Sequence, residues 1–250
     1  MKDSRALYFA SDLHLGTPDY YSSLQREKVF IRWLDTVAPD AQEIYILGDL
    51  FDFWFEYKKV IPKGYVRLLG KLADLSDQGA SIKIFAGNHD LWYKDYFPKY
   101  LGIEVFHAPQ TIFFQQKKIF IAHGDGLGPG DWGYKLLKKL LKSKINQYFF
   151  EWLHPNIGIY LANKFSHTSR KMNGSDDVSF KKDKEYIYQF ATQMLSHDSS
   201  YNYFIFGHRH IPLECALSPG ASLIILGDWL KYNSYLKMNN NGAFLEYFKV

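Results

Sequence analysis

Residues 7–16 read LYFASDLHLG, and this stretch decides the fold. Apolar and aromatic side chains fill positions 6–10, and the polar residues Asp12 and His14 follow at once. A short apolar run that ends in ligand-type side chains is typical of a buried strand in an open α/β sheet, because ligands bind outside the carboxyl ends of such strands. Asp12 and His14 are two residues apart, so an extended backbone would point both side chains the same way.

The same arrangement recurs after four later apolar runs, at residues 43–47, 81–86, 118–122 and 203–206. Oxygen and imidazole groups follow these runs: Asp49, Asn88, His89, Asp90, His123, His208 and His210. A mixed nitrogen and oxygen ligand set suits Mn, Fe or Zn better than Ca or Mg. Seven candidate ligands, without His89 and Asp90, exceed what one catalytic metal needs and fit two metals that share a carboxylate. Metal pairs of this kind promote phosphoryl chemistry.

The rest of the chain has the composition of a globular enzyme. Hydrophobic residues make up 47% and charged residues 22% of the 250 residues, which excludes general disorder, and the lone Cys215 excludes a disulfide-built domain. Helical spacing at residues 24–37 and 65–75 lies between predicted strands, so we expect either a mixed sheet or a two-sheet sandwich with helices outside. No secretion signal and no apolar run of roughly 18 residues is visible, which predicts a cytoplasmic protein.

Residues 126–182 break the strand pattern. Apolar residues at helical spacing alternate with lysines from residue 134 to residue 152, and a second, shorter helix is predicted around residues 159–165. We therefore predict a helical cap at 126–182 inserted into a core of residues 1–125 and 183–250. The cap holds ten Lys or Arg and four Asp or Glu, a net charge of +6, whereas the whole chain carries +4.

Two interpretations of this basic segment stay open. An amphipathic helix with interleaved lysines and aromatic residues is typical of contact with an anionic membrane surface. The alternative is an ordinary helix that buries its apolar face in the core and leaves its lysines in solvent. A nucleic-acid partner is not expected, because the positive charge is confined to one segment.

The motifs DxH, GDxxD, GNHD, HGD and GHxH, in this order, resemble the calcineurin-like metallophosphoesterases. The resemblance implies a four-layer αββα sandwich with two divalent metal ions. It implies one metal on Asp12, His14 and His210, a second on Asn88, His123 and His208, and Asp49 as the bridge. It further implies that metal-activated water attacks phosphorus, while the catalytic His89, oriented by Asp90, stabilises or protonates the leaving oxygen.

A narrower resemblance rests on LYFASDLHLG, YILGDLFDFWF, HGDG…GDWGY and the late LGDW. These segments are similar to the UDP-2,3-diacylglucosamine pyrophosphatases of lipid A biosynthesis, although His89 stands where the best-studied members carry arginine. The resemblance implies Mn²⁺, release of UMP and lipid X, and a cap that receives the acyl chains at the inner face of the cytoplasmic membrane. It implies substrate binding by Asp131, Tyr134 and Arg170.

Two competing functions remain at this stage. A calcineurin-like enzyme could instead cleave another phosphomonoester or phosphodiester, such as a soluble nucleotide. A non-catalytic interaction module on the same fold should have lost metal ligands, and this sequence retains all seven.

Overall fold

The computed structural model describes residues 5–130, 132–172 and 180–249, and within them the side chains of all but residues 163, 165–172 and 183. The first half contains β1 (Ala6–Ala10), α1 (Tyr20–Val37), β2 (Ala41–Ile46), α2 (Val66–Asp77), β3 (Ile82–Phe85), α3 (Tyr96–Tyr100), β4 (Glu104–Phe106), β5 (Gln110–Phe114) and β6 (Lys117–Ala122). The second half contains α4 (Trp132–Lys142), α5 (Lys144–Glu151), α6 (Pro155–Met172), α7 (Tyr186–His197), β7 (Tyr201–Phe206), β8 (Pro212–Ser218), β9 (Ala221–Leu226), β10 (Ser234–Asn239) and β11 (Gly242–Tyr247).

The strands form two sheets. One has the order β11-β10-β1-β2-β3-β4 and the other the order β5-β6-β7-β9-β8. Strands β1 to β4 run parallel to one another, as do β6, β7 and β9, whereas β5, β8, β10 and β11 pair antiparallel with their neighbours. The expected two-sheet sandwich is confirmed.

Strand β1 shows why these segments are uniformly apolar. Leu7 and Phe9 lie in the apolar layer between the two sheets, and Tyr8 lies in the layer between its sheet and the helices α1 and α2. Successive side chains of a strand point to opposite faces, so a strand covered on both faces needs apolar residues at every position. Helix α7 covers the outer face of the second sheet through Ile187 and Ala191. The layers therefore follow the order αββα.

The predicted helices occur with changed boundaries. The 24–37 helix begins earlier, at Tyr20, because the Asp19 carboxylate accepts hydrogen bonds from the backbone N–H groups of Tyr21 and Ser22. The single helix predicted over 134–152 is in fact two, α4 and α5, separated at Ser143. Helix α7 and strands β8, β10 and β11 were not predicted. No helix within the described ranges has the length and apolar content needed to cross a membrane.

Candidate active site

Parallel strands bring the predicted donor residues to one edge of the sandwich. Asp12 and His14 follow β1, Asp49 follows β2, and His208 and His210 follow β7. The backbone there is not extended as the residue spacing suggested, because φ is +58° at Asp12, +45° at His14, +52° at Asp49, +67° at His208 and +49° at His210. This left-handed region is costly for residues other than glycine, and such outliers concentrate at functional sites. The expected convergence is present, but turns produce it.

The first donor cluster contains Asp12, His14 and His210. The Nε2 atoms of His14 and His210 are 3.2 Å apart. The Oδ1 atom of Asp12 lies 3.4 Å from Nε2 of His210 and 3.7 Å from Nε2 of His14. Three ligand-type atoms therefore surround one point.

The second donor cluster contains Asp49, His123 and His208, with Asn88 beside it. The Oδ1 atom of Asn88 lies 3.0 Å from Nε2 of His123 and 2.9 Å from Nδ1 of His208. The Oδ2 atom of Asp49 lies 3.4 Å from Nε2 of His123 and 3.5 Å from Nε2 of His14. Asp49 thus stands between the two clusters, as a bridging carboxylate must.

The donor atoms fit divalent cations. Oδ1 of Asp12 and Oδ2 of Asp49 are buried and have no hydrogen-bond partner among the described residues. A buried unpaired carboxylate oxygen is costly, and a bound cation removes that cost. Donors about 2.1 Å from one cation lie roughly 3.0–3.5 Å from each other, which agrees with the separations in both clusters.

Opposite charges stabilise the clusters without metal. Burial opposes ionisation of Asp12 and Asp49, but the neighbouring imidazoles outweigh it. The pKa of Asp12 falls to about 2, and that of Asp49 lies well below its usual range. Burial likewise opposes protonation of His14 and His123, but carboxylates raise the pKa of each to about 10. Protons on these imidazoles thus provide the positive charge that bound cations would provide.

His208 differs from the other imidazoles of the site. Burial is the largest cause that lowers its pKa to about 4, and the positive charge of His123 acts in the same direction. His208 is therefore neutral at physiological pH, which is the form that binds a metal ion.

The outward-facing ring nitrogens of two histidines have fixed partners. Nδ1 of His123 lies 2.7 Å from the carbonyl oxygen of Leu47, and Nδ1 of His210 lies 3.2 Å from Oδ2 of Asp228. Such partners fix the tautomer and the orientation of a metal-binding imidazole. Asp228 was not among the predicted residues, although it follows β9 in the LGDW segment just as the other donors follow their strands.

Asp90 has a different environment from the one expected. Its carboxylate accepts hydrogen bonds from the backbone N–H groups of Gly87 at 2.8 Å and Leu50 at 2.8 Å, and from the hydroxyl of Tyr93 at 2.7 Å. The predicted contact from Asp90 to the His89 ring is absent among these described residues. Asp90 instead fixes the loop that carries Asp49. Burial is the largest cause that raises the pKa of Asp90, to about 6.

The ring of His89 lies beside Asp52. Its Nδ1 atom is 3.2 Å from the carbonyl oxygen of Asp52 and 3.6 Å from Oδ1 of the same residue. The backbone N–H of His89 donates to Oδ1 of Asp49 at 2.9 Å. His89 therefore stands at the rim of the donor clusters, where Asp52 takes the orienting place predicted for Asp90.

Two glycines permit the close approach of the donor loops. Gly48 has a φ of +89°, and a Cβ there would lie 2.6 Å from Nδ1 of His123. A Cβ on Gly87 would overlap the carboxylate of Asp49. Only glycine fits at either position, which accounts for both residues in their motifs.

Helix α4 of the cap turns its basic side toward the core. Lys138 Nζ pairs with Oδ2 of Asp125 at 2.6 Å, and Lys142 Nζ donates to the carbonyl oxygen of His107 at 3.1 Å. The apolar side chains of this helix are exposed instead, with Leu136 at 61% and Leu140 at 51%. Helix α4 therefore contradicts the ordinary arrangement of an apolar face in the core and solvated lysines.

The structure describes the three predicted substrate-binding residues to different extents. The hydroxyl of Tyr134 donates to Oδ2 of Asp125, beside the second donor cluster. Arg170 lies on α6, but its side chain is outside the described part of the structure. Asp131 lies outside the described residues altogether.

An aromatic contact joins helix α5 to the segments that follow β2 and β3. Phe150 of α5 packs against Phe55, with ring centroids 4.7 Å apart, and against Trp92 at 4.8 Å. The indole N–H of Trp92 donates to the carbonyl oxygen of Leu141 at 2.8 Å. This contact fixes α5 against Trp92, which lies two residues beyond Asp90 in sequence.

The geometry of the strand ends agrees with sequence comparison. The family model of the calcineurin-like phosphoesterases matches residues 6–212. The chain belongs to this family. It is 34% identical to a UDP-2,3-diacylglucosamine hydrolase of Porphyromonas gingivalis, over 96% of both chains. It is 32% identical to the Haemophilus influenzae protein of the same name, over 95% of this chain and 96% of that one. Both predicted resemblances are confirmed.

Membership in the family identifies the chain as a hydrolase and implies divalent metal ions at the donor clusters. The prediction of an enzyme is therefore confirmed, against the alternative of a non-catalytic module. The division into a core and a cap at residues 126–182, and the role of each donor residue, stay predictions.

Proposed function

We propose that this enzyme hydrolyses the pyrophosphate bond of UDP-2,3-diacylglucosamine and releases UMP and lipid X, which is 2,3-diacylglucosamine 1-phosphate. The observation that carries the proposal is the pair of donor clusters that share Asp49, with Oδ2 of this residue 3.4 Å and 3.5 Å from imidazoles of either cluster. The names and near full-length similarity of the curated relatives support the choice of substrate.

In this proposal, Asp12, His14 and His210 hold one divalent cation, and Asn88, His123 and His208 hold a second, with Asp49 shared. Mn²⁺ is the metal proposed, with Fe and Zn as the other candidates for a mixed nitrogen and oxygen site. Bound there, the cations supply Lewis acidity, which activates water and neutralises charge on the phosphoryl group.

The remaining site residues act on the substrate. His89 lies at the rim of the clusters beside Asp52, and its side chain is 13% exposed, so it can donate a hydrogen bond to the leaving oxygen. Asp90 contributes indirectly, because it holds the loop of Asp49. Tyr134, together with Asp131 and Arg170, is proposed to bind the glucosamine and acyl part of the substrate.

We propose that the cap also brings the enzyme to the inner face of the cytoplasmic membrane, where the acylated substrate resides. Its exposed apolar side chains support this: Trp132 at 80%, Trp152 at 75%, Ile145 at 68% and Phe149 at 66%. Large exposed apolar surfaces mark interaction sites, and tryptophan suits the interface between lipid and water. Lys144 lies among them and can contact anionic headgroups.

UMP release by the purified, Mn²⁺-loaded enzyme tests the proposal, with UDP-2,3-diacylglucosamine supplied in mixed micelles. We expect UMP as a product and its loss in Asp49→Ala and His123→Ala. A panel of soluble nucleotides and phosphate esters serves as the comparison. Faster cleavage of a soluble ester than of the acylated substrate would contradict the proposal and favour the competing phosphoesterase activity.

A further inference from the structure

Asp125 joins the metal-site loop to helix α4. The carboxylate of Asp125 is buried, at 5% exposure, and it receives the hydroxyl of Tyr134 and Nζ of Lys138 at 2.6 Å. Lys138 also donates to the backbone carbonyl of Asp125 at 2.9 Å. A charge pair that is largely shielded from water is worth more than a surface pair, because less screening acts on it.

The loop around Asp125 is packed directly against the second donor cluster. Asp125 is two residues beyond His123, and Gly124 lies between them with a φ of +120°. A Cβ on Gly124 would lie 3.5 Å from Cβ of His208, and a Cβ on Gly126 would lie 3.3 Å from the ring of Tyr134. Helix α4 therefore rests on the same short loop that presents His123.

The other hydrogen bonds of the α4 lysines are to backbone carbonyl groups. Lys135 donates to the carbonyl oxygen of Gly128, and Lys142 donates to that of His107. Within the described ranges, Asp125 is the one carboxylate that pairs with a lysine of α4. The ion pair thus provides the charged contact between this helix and the loop.

We propose that Asp125 and Lys138 are positioning residues. They hold α4 at the distance from the metal site that binding of an acylated nucleotide diphosphate requires. This inference rests on the proposed function, because it needs a substrate that contacts the cap and the metal site together. A small phosphate diester reaches the donor clusters without the cap. The ion pair therefore controls the substrate range of the enzyme and not its chemistry.

The expected effect on KM follows from the fraction of enzyme molecules in which α4 has the position needed for binding. When Lys138 is lost, Asp125 keeps a buried charge without its cationic partner, and α4 is no longer held to the loop. The apparent affinity for a ligand falls by the competent fraction. Since a lost hydrogen bond to a charged group is costly, we expect a rise of roughly 10- to 100-fold in KM for the acylated substrate, which corresponds to about 1.4–2.7 kcal/mol.

The test compares Lys138→Met with Lys139→Met, which removes the neighbouring, exposed lysine. Both variants are assayed as full-length, Mn²⁺-loaded protein on UDP-2,3-diacylglucosamine and on bis(4-nitrophenyl) phosphate. We expect Lys138→Met to raise KM for the acylated substrate and to cleave the small diester at the wild-type rate, with Lys138→Arg restoring most of the loss. Lys139→Met should match the wild type on both.

Asp125→Asn and the double variant complete the experiment. Because both single changes remove one shared contact, the double variant should lose no more than the worse single variant. Additive losses, an unchanged KM in Lys138→Met, or an equal loss on both substrates would each overturn the proposal.

Hydrogen exchange separates this inference from the proposed function. Lys138→Met should speed amide exchange across residues 124–142 and leave β1 and β7 unchanged, whichever substrate the enzyme uses. If the wild type releases no UMP yet exchange in this segment rises, the proposed substrate is wrong and the positioning contact stands. Unchanged exchange overturns the positioning role.

Discussion

Replacement of Asp228 by asparagine should weaken one metal site and spare the other. Oδ2 of Asp228 lies 3.2 Å from Nδ1 of His210, and Oδ1 accepts from the backbone N–H groups of Lys231 at 2.8 Å and Tyr232 at 3.2 Å. Asparagine has the same shape and keeps one oxygen for those two N–H groups, so the turn survives. Its NH₂ group then faces the Nδ1–H group of His210. Two hydrogen-bond donors cannot bond to each other, so the contact that orients the ring is lost.

The expected magnitude follows from how little else restrains His210. Its side chain is 36% exposed, whereas the His14 side chain of the same cluster is 1% exposed and held by packing. Loss of such an orienting contact typically lowers metal affinity about 10- to 100-fold. That range corresponds to about 1.4–2.7 kcal/mol. The cluster of Asn88, His123 and His208 makes no contact with Asp228 among the described residues, so its affinity should not change.

Metal titration with Mn²⁺, followed by calorimetry and by metal analysis after dialysis, checks this outcome. Wild-type enzyme should retain two ions, and Asp228→Asn should lose one of them at concentrations that keep the other bound. Asp198→Asn is the matched control, since Asp198 is 42% exposed and pairs with Lys118 at the start of β6, the end of that strand opposite His123. Equal weakening of both sites, or unchanged affinity at both, would refute the orienting role.

Two further predictions concern proton release and the cap. The metal-free protein carries protonated His14 and His123 at pH 7, because both pKa values are about 10. Since ligation requires neutral imidazole, loading at pH 7 should release about two protons and make the calorimetric enthalpy depend on the buffer; the same enthalpy in all buffers would disagree. In α6, Gly158→Ala would normally gain about 1 kcal/mol of helix stability, but its Cβ would overlap the hydroxyl of Tyr57 and lie 3.0 Å from the Phe150 ring. We expect faster proteolysis within residues 132–172, whereas Gly133→Ala, with no atom within 4 Å, should behave as the wild type.

The donor residues were predictable from sequence because the strand that precedes each one determines its position. An apolar run covered on both faces identifies a buried strand, and the residue after it occupies the edge where parallel strands end together. Asp12, Asp49 and His123 all follow this rule. Strand β10 escaped prediction because its burial alternates and Lys237 interrupts its apolar pattern. The aliphatic part of Lys237 lies within the sheet while its ammonium pairs with Asp40.

Contacts between distant segments were not predictable. The partner of His210 is a carboxylate 18 residues further on, and the partner of His89 is Asp52 rather than the adjacent Asp90. Hydrogen-bond partners of this kind depend on how the loops close in space. The orientation of α4 could not be predicted for a related reason. Amphipathic spacing shows that a helix has two faces, but not which of them meets the core.

The orientation of α4 places its lysines and its apolar side chains on different sides of the helix, so the two groups can contact different partners. Of the five lysines on α4 and α5, Lys138 contacts Asp125 and Lys142 contacts His107, both in the predicted core, and Lys135 contacts Gly128 in the loop before α4. Lys138 is neutralised by Asp125, which lies two residues beyond His123. Under the proposed function, the positive potential of Lys135 and Lys142 increases the association rate of the anionic diphosphate. Under the proposed function, the outward apolar side chains of α4 contact a lipid surface instead, mainly by burial. Under the proposed function, added salt should then slow substrate capture more than it weakens membrane binding, because screening acts on charges and leaves apolar burial intact.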